Sequence, residues 1–133
     1  MHKQTINYVD FNGVERQEDF YFHLSLPEVT RIEAEIGMPI PEYTEQLTNN
    51  KNLNELLKFL ERVILSSYGQ KTQDGRSFHK TTALREEFEN SQAYAELFEV
   101  LLTDPEVARK FGEGVTNSGK AKRNSVAPQV VTQ

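Results

Sequence analysis

Apolar and polar positions change rhythm along the chain, and the changes mark the elements. Thr5-Ile6-Asn7-Tyr8-Val9 and the stretch from Val14-Glu15-Arg16 to Phe20-Tyr21-Phe22 are rich in β-branched and aromatic residues. Between them stands Asn12-Gly13, a pair that tolerates positive φ at both central positions of a tight hairpin turn. This spacing predicts a β-hairpin in which Phe11 faces Val14 and Val9 faces Arg16. An isolated hairpin is marginal in water, so it must pack on helices or pair with another chain.

Helical spacing takes over at Ser25-Leu26-Pro27-Glu28, a capping box: the serine accepts an orphan N–H and the glutamate reaches back. Val29, Ile32 and Ile36 make one apolar face, Gly37 ends the helix, and Pro39 and Pro41 bar its continuation. A short helix follows from Glu42 to about Thr48. The longest pattern opens at Asn52, with Glu55 three positions on as a second cap pairing. Leu53, Leu56, Leu57, Leu60, Val63 and Ile64 form its stripe, and Gly69 sits where a left-handed C-cap belongs. Residues 70–80 are polar, contain Asp74-Gly75, and read as an extended loop or turn anchored by Phe78.

Helical pattern resumes near Thr82, with Leu84 and Phe88 four apart. Asn90-Ser91 reads as a break and a new N-cap. Tyr94, Leu97, Phe98 and Leu101 then fall at i, i+3, i+4 and i+7. Thr103-Asp104-Pro105-Glu106 reads as a third capping box, opening a short helix with Val107, Ala108 and Phe111 inward that ends near Gly112 and Gly114. After Val115 no periodicity remains. The expected architecture is α+β: an N-terminal antiparallel β-hairpin packed on a bundle of four to five helices, with a disordered C-terminal tail. The expected organisation is one compact domain over residues 1–115 and a flexible basic tail over 116–133.

Composition narrows the function more by exclusion than by indication. All 20 Asp and Glu, but only 12 of the 15 Lys and Arg, lie in residues 1–115, so that body carries −8 and the tail +3. A broad basic surface for nucleic acid is thereby disfavoured. The chain has no cysteine, which removes disulfides, thiolate metal sites and a thiol nucleophile. No run of 18 apolar residues exists, so no transmembrane helix is expected, and the N-terminus lacks an apolar signal segment. The default is a soluble, intracellular, acidic domain.

No catalytic, cofactor-binding or metal-ligating constellation emerges. His2, His23 and His79 lack the spacing of a helical metal pair. Gly112-Glu113-Gly114 follows a helix instead of opening one, so it makes no phosphate loop. Glu28, Glu33 and Glu35, and Glu86, Glu87 and Glu89, alternate with apolar anchors and are expected to face water. The stripe of Tyr94, Leu97, Phe98 and Leu101 is either core or a partner-facing surface, since aromatic anchors dominate both. With the aromatic hairpin it competes for one small core, which favours self-association or a partner.

Several stretches carry a resemblance. These are Thr5-Ile6-Asn7-Tyr8 with Asp10-Phe11-Asn12-Gly13; Tyr68-Gly69-Gln70-Lys71; Asp74-Gly75-Arg76-Ser77-Phe78; Leu84-Arg85-Glu86-Glu87-Phe88; Ser91-Gln92-Ala93-Tyr94-Ala95-Glu96-Leu97-Phe98; and Asp104, Ala108-Arg109-Lys110-Phe111 and Gly114-Val115. Over about residues 4–115 the chain resembles tail assembly chaperones of long-tailed bacteriophages that infect Gram-positive bacteria. The resemblance implies a non-enzymatic protein of the host cytoplasm, absent from the mature virion. Such a protein coats the tape-measure protein and helps tail-tube subunits polymerise around it. It also implies a longer product made by ribosomal frameshifting, for which Gly119-Lys120 permits slippery codons. The client-binding candidates are then Tyr94, Leu97, Phe98, Leu101 and Phe111, with the hairpin edge available for self-association. The alternative is a structural virion component, such as a head–tail connector or minor tail protein.

Overall fold

The computed structural model describes residues 1–116. The expected tail therefore lies outside the described residues, except for Thr116. The order is β1 (His2–Val9), β2 (Glu15–Phe22), α1 (Leu26–Ile36), α2 (Ile40–Asn49), α3 (Leu53–Ser67), β3 (Tyr68–Lys71), β4 (Phe78–His79), α4 (Thr82–Glu89) and α5 (Gln92–Thr103). A further helical run, α6, covers residues 105–116. The fold is α+β, as its rhythm predicts. Its sheet has four strands in the order β1-β2-β3-β4, all neighbours antiparallel.

The hairpin forms, but its register is one residue away from the expected one. Val9 pairs with Glu15 and Tyr8 with Arg16. The turn spans Asp10–Gly13, closed by the Gly13 N–H donating to the Asp10 carbonyl at 2.9 Å. Only Gly13 takes positive φ, at 80°; Asn12 does not. Asp10 is the cause. Its Oδ1 accepts the N–H groups of Asn12 (2.8 Å) and Val14 (2.9 Å), and its Oδ2 accepts from Arg16 Nε at 2.6 Å. A side-chain acceptor that satisfies two turn donors outcompetes a left-handed asparagine. The extra turn residue leaves Gly13 as a bulge.

One face of the hairpin, bearing Ile6, Tyr8, Phe20 and Phe22, turns to the core, while Lys3, Thr5 and Asn7 on the other are exposed. Phe20, Phe22, Tyr68 and Phe88 form an aromatic cluster in which Tyr68 and Phe88 stack at 4.3 Å. The Tyr94–Leu101 helix lies against β1, and its Leu97 and Leu101 share one core with Ile6 and Phe22 of the hairpin.

The α1 termini follow the sequence. Ser25 and Glu28 form both arms of the capping box, and Gly37 closes the helix at φ 80°. The acids of α1 do not simply face water. The Glu33 carboxylate accepts the Ile40 N–H at 2.9 Å, supplying the cap that Pro39 lacks at the start of α2. Glu35 pairs with Arg62 at 2.7 Å. Glu86, Glu87 and Glu89 are exposed as expected. In α3, Asn52 makes no side-chain cap bond, and Leu53 in the first turn is exposed, while Phe59 joins the core in its place.

Three further expectations are corrected. Gly69 is not a left-handed cap: Tyr68 ends α3 in extended conformation, and the chain passes straight into β3. Gly69 is required by proximity, because a Cβ there would stand 2.5 Å from the His79 carbonyl and 2.6 Å from the Phe78 ring. The stretch 70–80 does turn, between Thr72 and Ser77, but its arms are strands that continue the sheet, with Gln70 opposite His79 and Lys71 opposite Phe78. Finally, the residue that caps α6 is Asp104, whose Oδ1 accepts from Glu106 and Val107, and not Thr103, the last residue of α5. It runs through Gly112 and Gly114 with Val115 and Thr116 fully buried. Gly114 lies against the His2 ring, where any side chain would collide, so this glycine lets helix and strand meet.

Glu28 also ties the sheet to α1. Lys80 Nζ donates to its two carboxylate oxygens at 2.6 and 2.7 Å and to the His23 carbonyl at 3.0 Å. Burial alone would raise the Glu28 pKa; the Lys80 ammonium and the Ser25 N–H outweigh it and hold the carboxyl below its ordinary value. A depressed folded-state pKa contributes stability above the unfolded carboxyl's range, and that stability is lost as pH falls through the folded value. Glu28→Gln is expected to cost about 1 kcal/mol at neutral pH, after allowance for partial exposure. Urea titrations of the two proteins should converge as pH drops below roughly 4.

Candidate functional site

The candidate surface is built on α4 and α5. Thr81 caps α4 by accepting the Leu84 N–H at 3.1 Å, and Ser91 caps α5 by accepting from Tyr94 at 3.3 Å. Ser91 Oγ also donates to the Phe88 carbonyl at 2.6 Å, locking the break between the helices. These two caps set the phase of α5, which lies against β1.

That phase divides the predicted stripe. Leu97 and Leu101 point into the core, Leu97 with no exposed surface. Phe111 is also buried, with its ring 5.1 Å from Phe22 and 5.3 Å from His2. Tyr94 and Phe98 are half-buried neighbours, their rings 5.8 Å apart, and Tyr94 rests edge-on to Phe88 at 5.7 Å. The part of the stripe that a partner can touch in this conformation is therefore Tyr94 and Phe98. The Tyr94 hydroxyl is buried and has no hydrogen-bond partner among the described residues. Burial first, then the carboxylates of Glu61 and Glu89, push its pKa up to about 12, so the phenol stays neutral at physiological pH.

The most exposed large apolar side chain among the described residues lies outside the predicted stripe. Phe11, at 77% exposure, stands with Val9 and Val14 at the hairpin tip. The signal was available: residues flanking a two-strand turn extend past the sheet and have no core to enter. The three histidines stay apart. His23 Nδ1 is buried without a partner among the described residues, and burial lowers its pKa. No group of three His, Asp or Glu among the described residues could hold a metal ion. No helix among them is long and apolar enough to cross a membrane.

Tyr94, Phe98 and Phe11 are apolar side chains that reach the surface and that a protein partner could cover. Among known families, the profile of the phage tail assembly chaperone family matches residues 1–119. The match covers most of the 133 residues, and the chain belongs to this family. No curated protein and no solved structure matches it.

Proposed function

We propose that this protein acts without catalysis. It would bind the tape-measure protein in the host cytoplasm, keep it soluble, aid polymerisation of the tail tube around it, and be absent from the mature virion. The phage is proposed to be a long-tailed one with a Gram-positive host. The family match over residues 1–119 carries this reading. The physical properties support it. A body charge of −8 keeps many copies apart and soluble around one long client. A half-exposed aromatic pair, Tyr94 and Phe98, suits contact with many similar segments better than one narrow pocket does. Their buried stripe-mates Leu97 and Leu101 would act as support for that pair, and Phe111, buried on α6, as part of the core beneath. β1 is an edge strand of the sheet, with Lys3 its only lysine or arginine, and strand pairing there is the means by which copies would align along the client. A longer frameshifted product, with its shift at the codons for Gly119-Lys120, belongs to the same reading and is checked by the nucleotide sequence.

Two experiments test it. Quantitative mass spectrometry should find the chain in infected cells and not in purified particles; a fixed stoichiometry in the particle would instead make it a connector or minor tail protein. Phe98→Asp should abolish recovery of the tape-measure protein while leaving the circular dichroism melt cooperative. If that variant unfolds, Phe98 belongs to the core and this surface is misassigned.

A further inference from the structure

We infer that the tip of the β1–β2 hairpin, with the notch beside it, docks a protein segment that carries an apolar anchor next to lysine or arginine. Val9, Phe11 and Val14 stand exposed within six residues of chain. The turn does not need them, since Asp10 and Gly13 hold its geometry. Phe11 makes no ring contact among the described residues, so a large aromatic stands where any polar residue would serve the fold. Val9 stands opposite Glu15, so Val9 and Val14 flank Phe11 on the two sides of the hairpin, and exposed apolar side chains gathered at one tip mark a contact site.

The neighbouring charges say what the contact must bring. A notch of about 450 Å³ lies beside the tip, walled by Tyr8, Val9 and Arg16 and bordered by Glu15 from β2 and Glu96 from α5. Arg16 is already engaged by Asp10 at 2.6 Å and Glu18 at 3.6 Å. The carboxylates of Glu15 and Glu96 make no hydrogen bond or ion pair among the described residues. Apolar contacts supply affinity here, and the uncompensated carboxylates orient a cationic neighbour and speed its approach, an effect that salt screens. A second copy of this chain is the wrong occupant. It would set its own Glu15 and Glu96, and a body of −8, against the same charges. The inference stands on the hairpin and does not depend on which client Tyr94 and Phe98 meet.

The test is a random-peptide display selection on the full-length chain, followed by fluorescence anisotropy with the recovered peptides. Recovered sequences should place Lys or Arg beside an aromatic or aliphatic anchor. Phe11→Ser should weaken their binding at least about tenfold, as loss of a central anchor does. The Glu15→Gln/Glu96→Gln pair should weaken it by roughly threefold or more at low salt and flatten its salt dependence. All three positions are exposed, so the thermal melts should match wild type; if Phe11→Ser alters the melt, Val14→Thr carries the same test. Recovery of no peptides, peptides without basic residues, or binding indifferent to both tip variants would overturn the inference. So would sedimentation showing a dimer that Phe11→Ser dissolves, or competition by a peptide of residues 117–133, since each gives the tip a different occupant.

Discussion

Phe22→Ala should remove about 3–5 kcal/mol of stability, the range for emptying a fully buried aromatic site. Phe22 has no exposed surface. Its ring lies 5.8 Å from Tyr68, 5.7 Å from Phe88 and 5.1 Å from Phe111, so it joins β2 to the α3–β3 junction, α4 and α6. These neighbours come from three separate parts of the chain and cannot all collapse into the vacated space. Against the 5–15 kcal/mol typical of a domain, such a loss of about 4 kcal/mol consumes a large fraction. Urea denaturation should show a lower midpoint with an unchanged slope. A shift worth less than about 1 kcal/mol would mean that the aromatic cluster does not centre on Phe22.

Gly69→Val is the second large effect. The backbone there is extended, so the penalty is collision and not strain in φ. A new Cβ would meet the His79 carbonyl oxygen at 2.5 Å, the Phe78 ring at 2.6 Å and Lys80 Cγ at 2.8 Å. The first of these is backbone and has no rotamer with which to escape. β4 must move away, and Lys80, which clamps Glu28 and the His23 carbonyl, moves with it. The expected cost is about 3 kcal/mol, near the upper end for overpacking. Amide exchange should show Thr72 and His79 losing protection before the hairpin amides do. Retained protection in a variant as stable as wild type would contradict the close approach of β3 and β4.

The sequence displays local physics well and distant physics poorly, and this fold shows where the line falls. The ends of α1 are written in adjacent residues, Ser25, Glu28 and Gly37, and form as read. The hairpin is legible as an element, but its register depended on Asp10 reaching two turn donors and Arg16, a competition that the Asn12-Gly13 pair masks. β3 and β4 were missed because strands of four and two residues carry no alternation, and β3 exists through its pairing with Tyr21 and Phe22, far away in the chain. Gly69 and Gly114 were read as helix ends, whereas each is a place where another segment approaches too closely for a side chain. The i, i+3, i+4, i+7 spacing of the candidate site correctly gave a helix. Periodicity alone could not separate Leu97 and Leu101, which face the core, from Tyr94 and Phe98, which still meet the surface.

The central claim is that this protein holds a tape-measure protein in solution. Its most direct test is co-expression of the two, followed by size-exclusion chromatography of the soluble fraction. The account predicts that the tape-measure protein is insoluble alone, soluble with the wild-type chain, and co-elutes with several copies of it. A tape-measure protein equally soluble without the chain, or one that never co-elutes with it, would contradict the account.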